Sequence, residues 1–283
     1  MRAMTFRTLV SAEALAAHVD DASWRIFDCR HDLTQPDAGE HAFVTGHIPA
    51  AQFLHLDRDL SGPKHGKNGR HPLPDPALLA ATLARCGVSN ATQVVAYDNV
   101  GGMFAARLWW LLRWLGHDNV AVLDGGLPAW ERHGGLLTDK ATPRAPAVFD
   151  WRTGDQAVGA DFVRANLRQP HLRLIDARAP DRFRGENETL DPVGGHIPGA
   201  VNRFFKDSLT ADNHFRPAAQ LRDDFDRLLS HGQRPVCYCG SGVTACHLLL
   251  AMEISGLKDA RLYAGSWSEW CSDAQRPTAT GAE

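Results

Sequence analysis

The 283-residue sequence lacks the features that mark several specialised classes of protein. Its acidic and basic residues nearly balance, and a net charge of −3 suggests neither a nucleic-acid partner nor a polybasic membrane contact. No apolar run reaches the roughly 18 residues that a transmembrane helix needs. The first ten residues contain no long apolar core followed by a small-residue cleavage site, so we expect no signal peptide there.

The cysteines do not follow the spacing of a metal site or of a secreted scaffold. Cys237 and Cys239 form a Cys-x-Cys pair without a second pair at metal-ligand spacing, so we expect no metal and no cofactor. Six cysteines in a chain of this length, without a secretion signal, indicate a reducing compartment and predict a cytoplasmic location. The sequence leaves open whether Cys237 or Cys246 forms a regulatory disulfide with Cys239.

The most informative stretch is a cysteine-containing turn between a strand and a helix. Residues 236–238 have the apolar character of a buried strand end, and helical spacing of apolar residues begins at Thr244. In the turn, Gly240 and Gly242 let the backbone curl so that its N–H groups point at the sulfur of Cys239. The following helix adds the positive end of its dipole. Both effects favour thiolate over thiol, so we predict that Cys239 is a nucleophile.

Other interpretations of this turn fit the residues less well. A cysteine phosphatase would carry an arginine six positions after the cysteine, where this chain has Ala245. A Walker loop would continue its glycines with Gly-Lys-Ser/Thr, which is missing here. Cys239 as a small buried hydrophobic residue is the remaining alternative, and the two glycines after it, together with the abrupt change from strand to helix, disfavour it.

The chain contains two copies of one domain-sized unit, with corresponding motifs separated by roughly 140 to 150 residues. The matching segments are Arg25-Ile-Phe-Asp-Cys-Arg30 with Arg173-Leu-Ile-Asp-Ala-Arg178, Gly46-His-Ile-Pro with Gly195-His-Ile-Pro, Val94-Val-Ala-Tyr-Asp98 with Pro235-Val-Cys-Tyr-Cys239, and residues 123–130 with 263–270. Asp98 stands where the second copy has Cys239, so we expect the first copy to be catalytically silent. His47 and His196 recur in both copies, which indicates a structural role.

Strand-like and helix-like patterns alternate within each copy. In the first copy, Trp24–Asp28, Gln93–Tyr97 and Val120–Leu123 predict strands, and residues 76–86 and 104–115 predict helices. This alternation is typical of an α/β fold in which helices flank a parallel sheet. We predict two such tandem domains, arranged as a pseudo-repeat, at residues 1–140 and 156–283. A proline-containing linker would join them at residues 141–155.

Taken together, these motifs resemble the tandem-domain rhodanese family of sulfurtransferases. The resemblance rests on the paired Gly-His-Ile-Pro motifs, the silent first copy and the loop Cys239-Gly-Ser-Gly-Val-Thr-Ala245, and it covers nearly the whole chain. Within the family, this loop is similar to that of 3-mercaptopyruvate sulfurtransferases. Thiosulfate-preferring members typically place Arg-Lys where this chain has Gly240-Ser241. Two cations suit a dianion and a neutral turn suits a keto-acid monoanion, which ranks 3-mercaptopyruvate above thiosulfate.

The resemblance implies a set of site residues. Cys239 would accept the sulfur as a persulfide, and Gly240, Gly242, Val243 and Thr244 would line the loop that binds the donor. An Asp–His pair from the first domain would work with the loop serine, Ser241. The positions that match this pair are Asp57 and His71, for which Asp59 and His65 are the nearest rivals.

The resemblance also implies a carboxylate-binding arginine, which matches Arg182. A guanidinium makes the planar, two-pronged contact that a carboxylate prefers. Related enzymes of the animal type carry a second arginine about nine residues further on, in a Pro-Glu-Pro-Arg segment that this chain lacks. We hypothesise that Arg203 or Lys206 supplies this missing charge.

The function implied by the resemblance is transfer of sulfane sulfur from a small donor to a thiol or cyanide. A thioredoxin-like protein is the expected thiol acceptor. Thiosulfate:cyanide sulfurtransferase activity is the alternative within the family. A non-enzymatic persulfide relay is the alternative from another class, and Arg182 disfavours it because a relay needs no carboxylate anchor.

Overall fold

The computed structural model describes residues 5–282 and divides the chain into two compact units. Unit 1 contains the chain up to Gly62, Pro74–Gly154 and Ala211–Phe215, and unit 2 contains Pro63–Leu73, Asp155–Thr210 and the chain from Arg216 onward. Pro63–Leu73 therefore belongs to unit 2, although the chain on both sides of it belongs to unit 1. Ala211–Phe215 belongs to unit 1, although the chain on both sides of it belongs to unit 2. The contiguous domain ranges expected from the sequence did not anticipate either exchange.

Unit 1 contains a five-stranded parallel sheet of order β1-β5-β4-β2-β3, with helices between the strands. Its elements in chain order are β1 (Leu9–Val10), α1 (Ala12–Ala16), β2 (Trp24–Asp28), α2 (Ala38–Thr45), β3 (Ala51–Phe53), α3 (Pro76–Arg85), β4 (Gln93–Tyr97), α4 (Ala105–Trp114), β5 (Val120–Leu123) and α5 (Gly126–Arg132).

Unit 2 repeats this topology, with a parallel sheet of order β6-β10-β9-β7-β8. Its elements are β6 (Ala157–Val158), α6 (Ala160–Ala165), β7 (Leu172–Asp176), α7 (Pro180–Arg184), β8 (Val201–Asn202), a 3₁₀ turn (Phe205–Ser208), α8 (Ala218–Leu228), β9 (Arg234–Tyr238), α9 (Thr244–Ile254), β10 (Arg261–Tyr263) and α10 (Ser266–Trp270). The predicted α/β fold, with two parallel sheets flanked by helices, is confirmed.

The helix and strand boundaries follow from local chemistry. Asp75 precedes α3 and accepts hydrogen bonds from the N–H groups of Ala77 and Leu78 at 2.8 and 3.0 Å, and Pro76 occupies the first helical position. Both features satisfy or remove N–H groups that a helix start leaves without partners. Eight of the eleven residues of α9 are buried, on every side of the helix, as expected for a helix in a protein interior. Among residues 5–282, no helix has both the length and the apolar character to span a membrane.

Each unit has the same buried ion pair at the end of its second strand. In unit 1, the guanidinium of Arg30 contacts the Asp28 carboxylate at 2.6 Å and donates to the Gly46 carbonyl at 2.7 Å. In unit 2, Arg178 contacts Asp176 at 2.6 Å, and it donates to Gly195 at the same distance. The pair thus joins the strand end to the Gly-His-Ile-Pro motif, which explains why both motifs recur together.

The recurring histidines have structural contacts. The His47 ring stacks on Phe43 with centroids 3.9 Å apart, and its Nδ1 lies 2.8 Å from the Phe43 carbonyl oxygen. His196 stacks on Phe183 at 3.7 Å and its Nδ1 lies 2.8 Å from the Phe183 carbonyl oxygen. The same arrangement in the two units supports the structural role expected for both residues.

Candidate active site

Cys239 lies at the carboxyl edge of the sheet in unit 2, directly after β9 and before α9. Its strand lies at the centre of the sheet, paired with β10 on one side and β7 on the other. Ligands of open parallel sheets bind at this edge, where loops and helix N-termini converge. Cys239 is a free thiol and only 2% exposed, so its sulfur is shielded from bulk water.

The loop backbone holds the sulfur with its N–H groups. The N–H of Gly242 donates to Sγ of Cys239 over 3.1 Å, and that of Ser241 over 3.5 Å. Gly242 has φ +80°, and a Cβ at this residue would overlap the carbonyl oxygen of Ala264. Only glycine fits there, and the resulting curl together with the start of α9 forms a cradle for an anion.

Ser241 and His71 form a buried hydrogen-bonded pair beside the cysteine. Oγ of Ser241 lies 2.7 Å from Nδ1 of His71, and both residues are buried. His71 reaches this position because Pro63–Leu73 belongs to unit 2. The backbone of that segment is held by Ser268, whose hydroxyl accepts the N–H of Arg70 over 3.0 Å.

Two guanidinium groups flank the start of the cysteine loop. A Cβ built on Gly240 would come within 2.7 Å of Nη2 of Arg70 and within 3.5 and 3.6 Å of Nη2 and Nη1 of Arg182. Arg182 lies on α7, a short helix that begins with Pro180 and ends at Arg184, followed by Gly185 as its C-cap. Arg70 immediately precedes His71, and sequence reasoning did not select it. The signal that could have found it is its position beside a predicted catalytic residue.

Both guanidiniums are paired with acids from the segment after α7. Glu188 accepts from Nε of Arg182 at 3.1 Å and from its Nη2 at 2.8 Å. Asp191 contacts Arg182 at 3.3 Å and also forms an ion pair with Arg70. Burial raises the pKa of Asp191, although Arg70 and Arg182 oppose this effect. Burial alone would raise the pKa of Glu188 as well, but the N–H of Leu190 and the guanidinium of Arg182 lower it.

Comparison with known proteins identifies the family of the chain. A model of the rhodanese-like domain matches residues 11–133 and 159–273. The sequence is 48% identical over 285 residues to a Pseudomonas aeruginosa protein named "Probable 3-mercaptopyruvate sulfurtransferase", over 98% of this chain and 100% of that protein. It is 35% identical over 275 residues to the thiosulfate sulfurtransferase of Gallus gallus, covering 93% of each.

The chain belongs to the rhodanese family. The crystal structure of SseA from Escherichia coli, described as a 3-mercaptopyruvate sulfotransferase with the rhodanese fold, superposes with a TM-score of 0.82 and 32% identity. That match covers 93% of this chain and 99% of SseA. The family resemblance inferred from the sequence is therefore confirmed.

The first rhodanese unit carries a filled anion cradle. Both oxygens of Asp98 accept backbone N–H groups: Oδ1 those of Val100 and Gly102, each at 2.9 Å, and Oδ2 those of Phe104 and Ala105 at 2.8 and 3.0 Å. Burial raises the pKa of Asp98, and these four donors oppose the shift. The loop that cradles a sulfur in unit 2 thus holds its own carboxylate in unit 1, so it has neither a nucleophile nor room for an anionic ligand.

The other predicted site residues have different surroundings. Arg203 contacts Asp224 on α8 at 2.7 Å and Asp207 in the 3₁₀ turn at 3.3 Å, so its charge is already paired with two carboxylates. This geometry favours Arg70 over Arg203 as the second arginine of the site. Lys206 lies within the 3₁₀ turn. Val243 and Thr244 form the junction between the cysteine loop and α9.

Asp57 lies in unit 1, with Oδ2 3.9 Å from Nε2 of His31. The rival Asp59 accepts the backbone N–H of His55 at 2.7 Å. The pairing of His71 with either aspartate stays a prediction.

Asp57 also belongs to a cluster with metal-ligand residue types. Ligand atoms of His31, His55 and Asp57 lie within 4.8 Å of one another. However, Nδ1 of His55 accepts the backbone N–H of Asp57 at 3.0 Å, which leaves the ring proton of a neutral imidazole on Nε2. His55 therefore offers no free lone pair to a metal in this arrangement, and the cluster does not fit a metal site.

Proposed function

We propose that the protein is a sulfurtransferase enzyme that moves sulfur from 3-mercaptopyruvate to a thiol through a persulfide on Cys239. The observation that carries this proposal is the sulfur of Cys239 held by two loop N–H groups, with Arg70 and Arg182 beside Gly240. A nucleophile, an anion cradle and a carboxylate anchor thus occur together. The name of the Pseudomonas relative supports the same donor.

In the first half-reaction, the Cys239 thiolate attacks the sulfur of the donor. A sulfur–sulfur bond forms and the carbon–sulfur bond of the donor breaks, which releases the enolate of pyruvate. The proton of the donor thiol balances the step when it is transferred to the enolate carbon, giving pyruvate and an anionic persulfide. The contacts of the Ser241 and Gly242 N–H groups with Sγ of Cys239 support a role for this loop in stabilising that anion.

In the second half-reaction, a thiolate acceptor attacks the outer sulfur of the Cys239 persulfide. The acceptor leaves as a persulfide, and the Cys239 thiolate is regenerated. No external oxidant or reductant is consumed. In the first half, the electron pair of the broken carbon–sulfur bond stays with the carbon that becomes the methyl group of pyruvate, so that carbon is reduced as the sulfur is oxidised. In the second half, the sulfur passes from one thiolate to another. This double displacement needs no cofactor.

The Ser241–His71 pair serves proton transfer in the first half-reaction. The 2.7 Å contact lets the imidazole and the hydroxyl exchange a proton next to Cys239. The hydroxyl is then able to donate to the oxygen of the departing enolate. Asp57, proposed as the partner that orients His71, completes this set.

Thiosulfate is the second candidate donor. Two guanidiniums beside the loop favour a dianion, and the chicken relative is a thiosulfate sulfurtransferase. Against this donor, the loop itself is neutral at Gly240 and Ser241, and Glu188 and Asp191 neutralise the two arginines. We therefore rank 3-mercaptopyruvate first.

Intact-protein mass spectrometry after brief exposure to each donor tests the proposal. We expect 3-mercaptopyruvate to add about 32 Da, the mass of one sulfur atom held as a persulfide. The Cys239→Ser variant should show no gain, because a hydroxyl is a far weaker nucleophile than a thiolate at neutral pH.

Each other outcome would redirect the assignment. A gain with thiosulfate alone would reverse the order of donors and keep the chemistry. No gain with either donor would contradict an enzyme acting on small donors and would favour a persulfide relay loaded by another protein.

We also propose a thioredoxin-like dithiol as the acceptor and a reducing, cytoplasmic environment for the enzyme. A persulfide on a buried cysteine needs a nucleophilic thiol to remove it, and Cys239 itself is a free thiol. Pyruvate release that continues over many turnovers with reduced thioredoxin, and stops after one turnover without it, would support this acceptor. Equal turnover with any small thiol would contradict it.

A further inference from the structure

The arginines beside the cysteine loop are held on one side only. Glu188 binds Nε and Nη2 of Arg182, and Asp191 binds Nη2 of Arg182 and Nη1 of Arg70. Within residues 5–282, neither Nη1 of Arg182 nor Nη2 of Arg70 donates a hydrogen bond to another protein group. These two nitrogens are near Gly240, next to the nucleophile. We call Arg70 and Arg182 the arginine fork, and Glu188 and Asp191 the acid pair.

The acid pair is rigidly built. Both side chains are nearly inaccessible to solvent, at 4% for Glu188 and 3% for Asp191. Glu188 also accepts the N–H groups of Leu190 and Asp191 at 2.9 and 3.1 Å, and it contacts Arg178 at 3.3 Å. A donor carboxylate would have to break all of these bonds to displace Glu188. While the acid pair stays in place, Nη1 of Arg182 and Nη2 of Arg70 are the guanidinium nitrogens that a donor carboxylate can bind.

We propose that the acid pair sets the charge selectivity of the donor site: it cancels the two charges of the arginine fork and leaves two N–H-bearing nitrogens for one monocarboxylate. This inference rests on the proposed function, since it concerns the donor of the same site. Hydrogen-bond geometry then supplies the affinity for a keto acid, and little net positive potential remains to attract a second negative charge. A dianion such as thiosulfate or sulfate therefore binds the fork more weakly than it would bind two arginines without neighbouring acids.

The electrostatic argument predicts which substitution changes this preference. Replacing Asp191 by asparagine keeps the size of the side chain and adds one unit of positive charge to the site. The added charge attracts a dianion twice as strongly as a monoanion at the same distance. Asp191 and Glu188 act through the arginines, so they are positioning residues and not catalytic ones.

The test measures binding of two unreactive anions by calorimetry at pH 8. Pyruvate stands for the keto acid and sulfate for the dianion. We expect the wild type to prefer pyruvate, and Asp191→Asn to shift the ratio of the two association constants about five-fold toward sulfate. Arg70→Gln should weaken pyruvate binding about ten-fold, because the carboxylate loses one charged donor.

The matched control is Glu186→Gln, which makes the same change of charge in the same segment. Glu186 is 55% exposed, and its partner is Arg184 on the surface. We expect its ratio of pyruvate to sulfate affinity to equal that of the wild type. A loss of structure in Asp191→Asn would weaken both anions together, whereas the inference requires them to change by different factors.

Two results would overturn the inference: an unchanged affinity ratio in Asp191→Asn, or an unchanged pyruvate affinity in Arg70→Gln. The persulfide assay on the wild type reports separately on the proposed function. If the variants changed anion selectivity as expected but the wild type formed no persulfide, the proposed function would be contradicted and the inference about the acid pair would stand. If the wild type formed a persulfide but the ratio of pyruvate to sulfate affinity were unchanged in Asp191→Asn, the proposed function would stand and the inference would be contradicted.

Discussion

Gly242 decides the geometry of the cysteine loop at the scale of one residue. Its backbone has φ +80°, which costs an L-residue about 1–2 kcal/mol. A side chain would in addition overlap the backbone carbonyl oxygen of Ala264, the residue that follows β10. The N–H that lies closest to the sulfur of Cys239 therefore depends on the absence of a single carbon atom.

We predict that Gly242→Ala lowers the rate of persulfide formation at least about 100-fold, because a loop displaced by an ångström no longer aligns its N–H groups. Stopped-flow mixing with 3-mercaptopyruvate and mass detection measures this rate. The control is Gly256→Ala, which has φ +82° at the end of α9 but open space around its Cβ. Equal effects of the two substitutions would show that backbone strain, and not the loop geometry, is responsible.

At the scale of elements, α10 is the support of the site. The N–H groups of Trp267 and Ser268 donate to the carbonyl oxygens of Cys239 and Gly240 at 2.9 and 3.0 Å. The hydroxyl of Ser266 accepts the N–H of Cys239 at 3.1 Å. Since Ser268 also holds the backbone of Arg70, one short helix positions the nucleophile together with Arg70, one arginine of the fork.

We predict that Ser266→Ala destabilises the protein by about 1–3 kcal/mol, because the buried N–H of Cys239 loses its acceptor. The rate of persulfide formation should fall with it. Urea denaturation gives the stability and the mass assay the rate. Ser272→Ala, which removes a hydroxyl that donates to Glu269 just after α10, should cost less than about 1 kcal/mol and leave the rate unchanged. A stable Ser266→Ala with the wild-type rate would contradict this role of α10.

At the scale of the whole molecule, two copies of one architecture have kept their buried ion pairs and have diverged at the loop. Asp28 and Asp176 are fully buried, and each depends on an arginine for its charge balance. Asp98 fills its own cradle with a carboxylate, whereas the corresponding loop of unit 2 surrounds the thiol sulfur of Cys239. The two units therefore share the buried ion pair and differ chemically at one loop.

We predict that Arg30→Met and Arg178→Met each destabilise the protein by about 3–5 kcal/mol, because each leaves a buried aspartate without its counter-charge. Arg178→Met should cost more, since Arg178 also contacts Glu188 and lies over the Trp267 ring at 4.9 Å. Thermal unfolding measures both. Arg184→Met, which removes only a surface pair with Glu186, should change stability by less than about 1 kcal/mol. A similar loss of stability in all three variants would show that the buried ion pairs contribute no more to stability than the surface pair.

Much of the fold could be predicted because its signals are local. The alternation of apolar runs gave the strands β2, β4 and β5 with the bounds found in the structure, and it gave α3 and α4 to within one residue at the ends. Short elements such as β1 and β6 were not predicted, since two residues show no periodicity. The repeat and the rhodanese motifs carried the family assignment for the same reason, as they are contiguous in sequence.

The sequence by itself determined the α/β fold, the repeat, the family and the loop that contains Cys239, because each depends on neighbouring residues. Only the tertiary structure decided which charges surround that loop. Arg70 and Asp191 are 121 positions apart, and Arg203, selected from the sequence, contacts Asp224. Ion pairs form between whichever side chains the folded backbone brings within a few ångströms, and no local pattern records that choice.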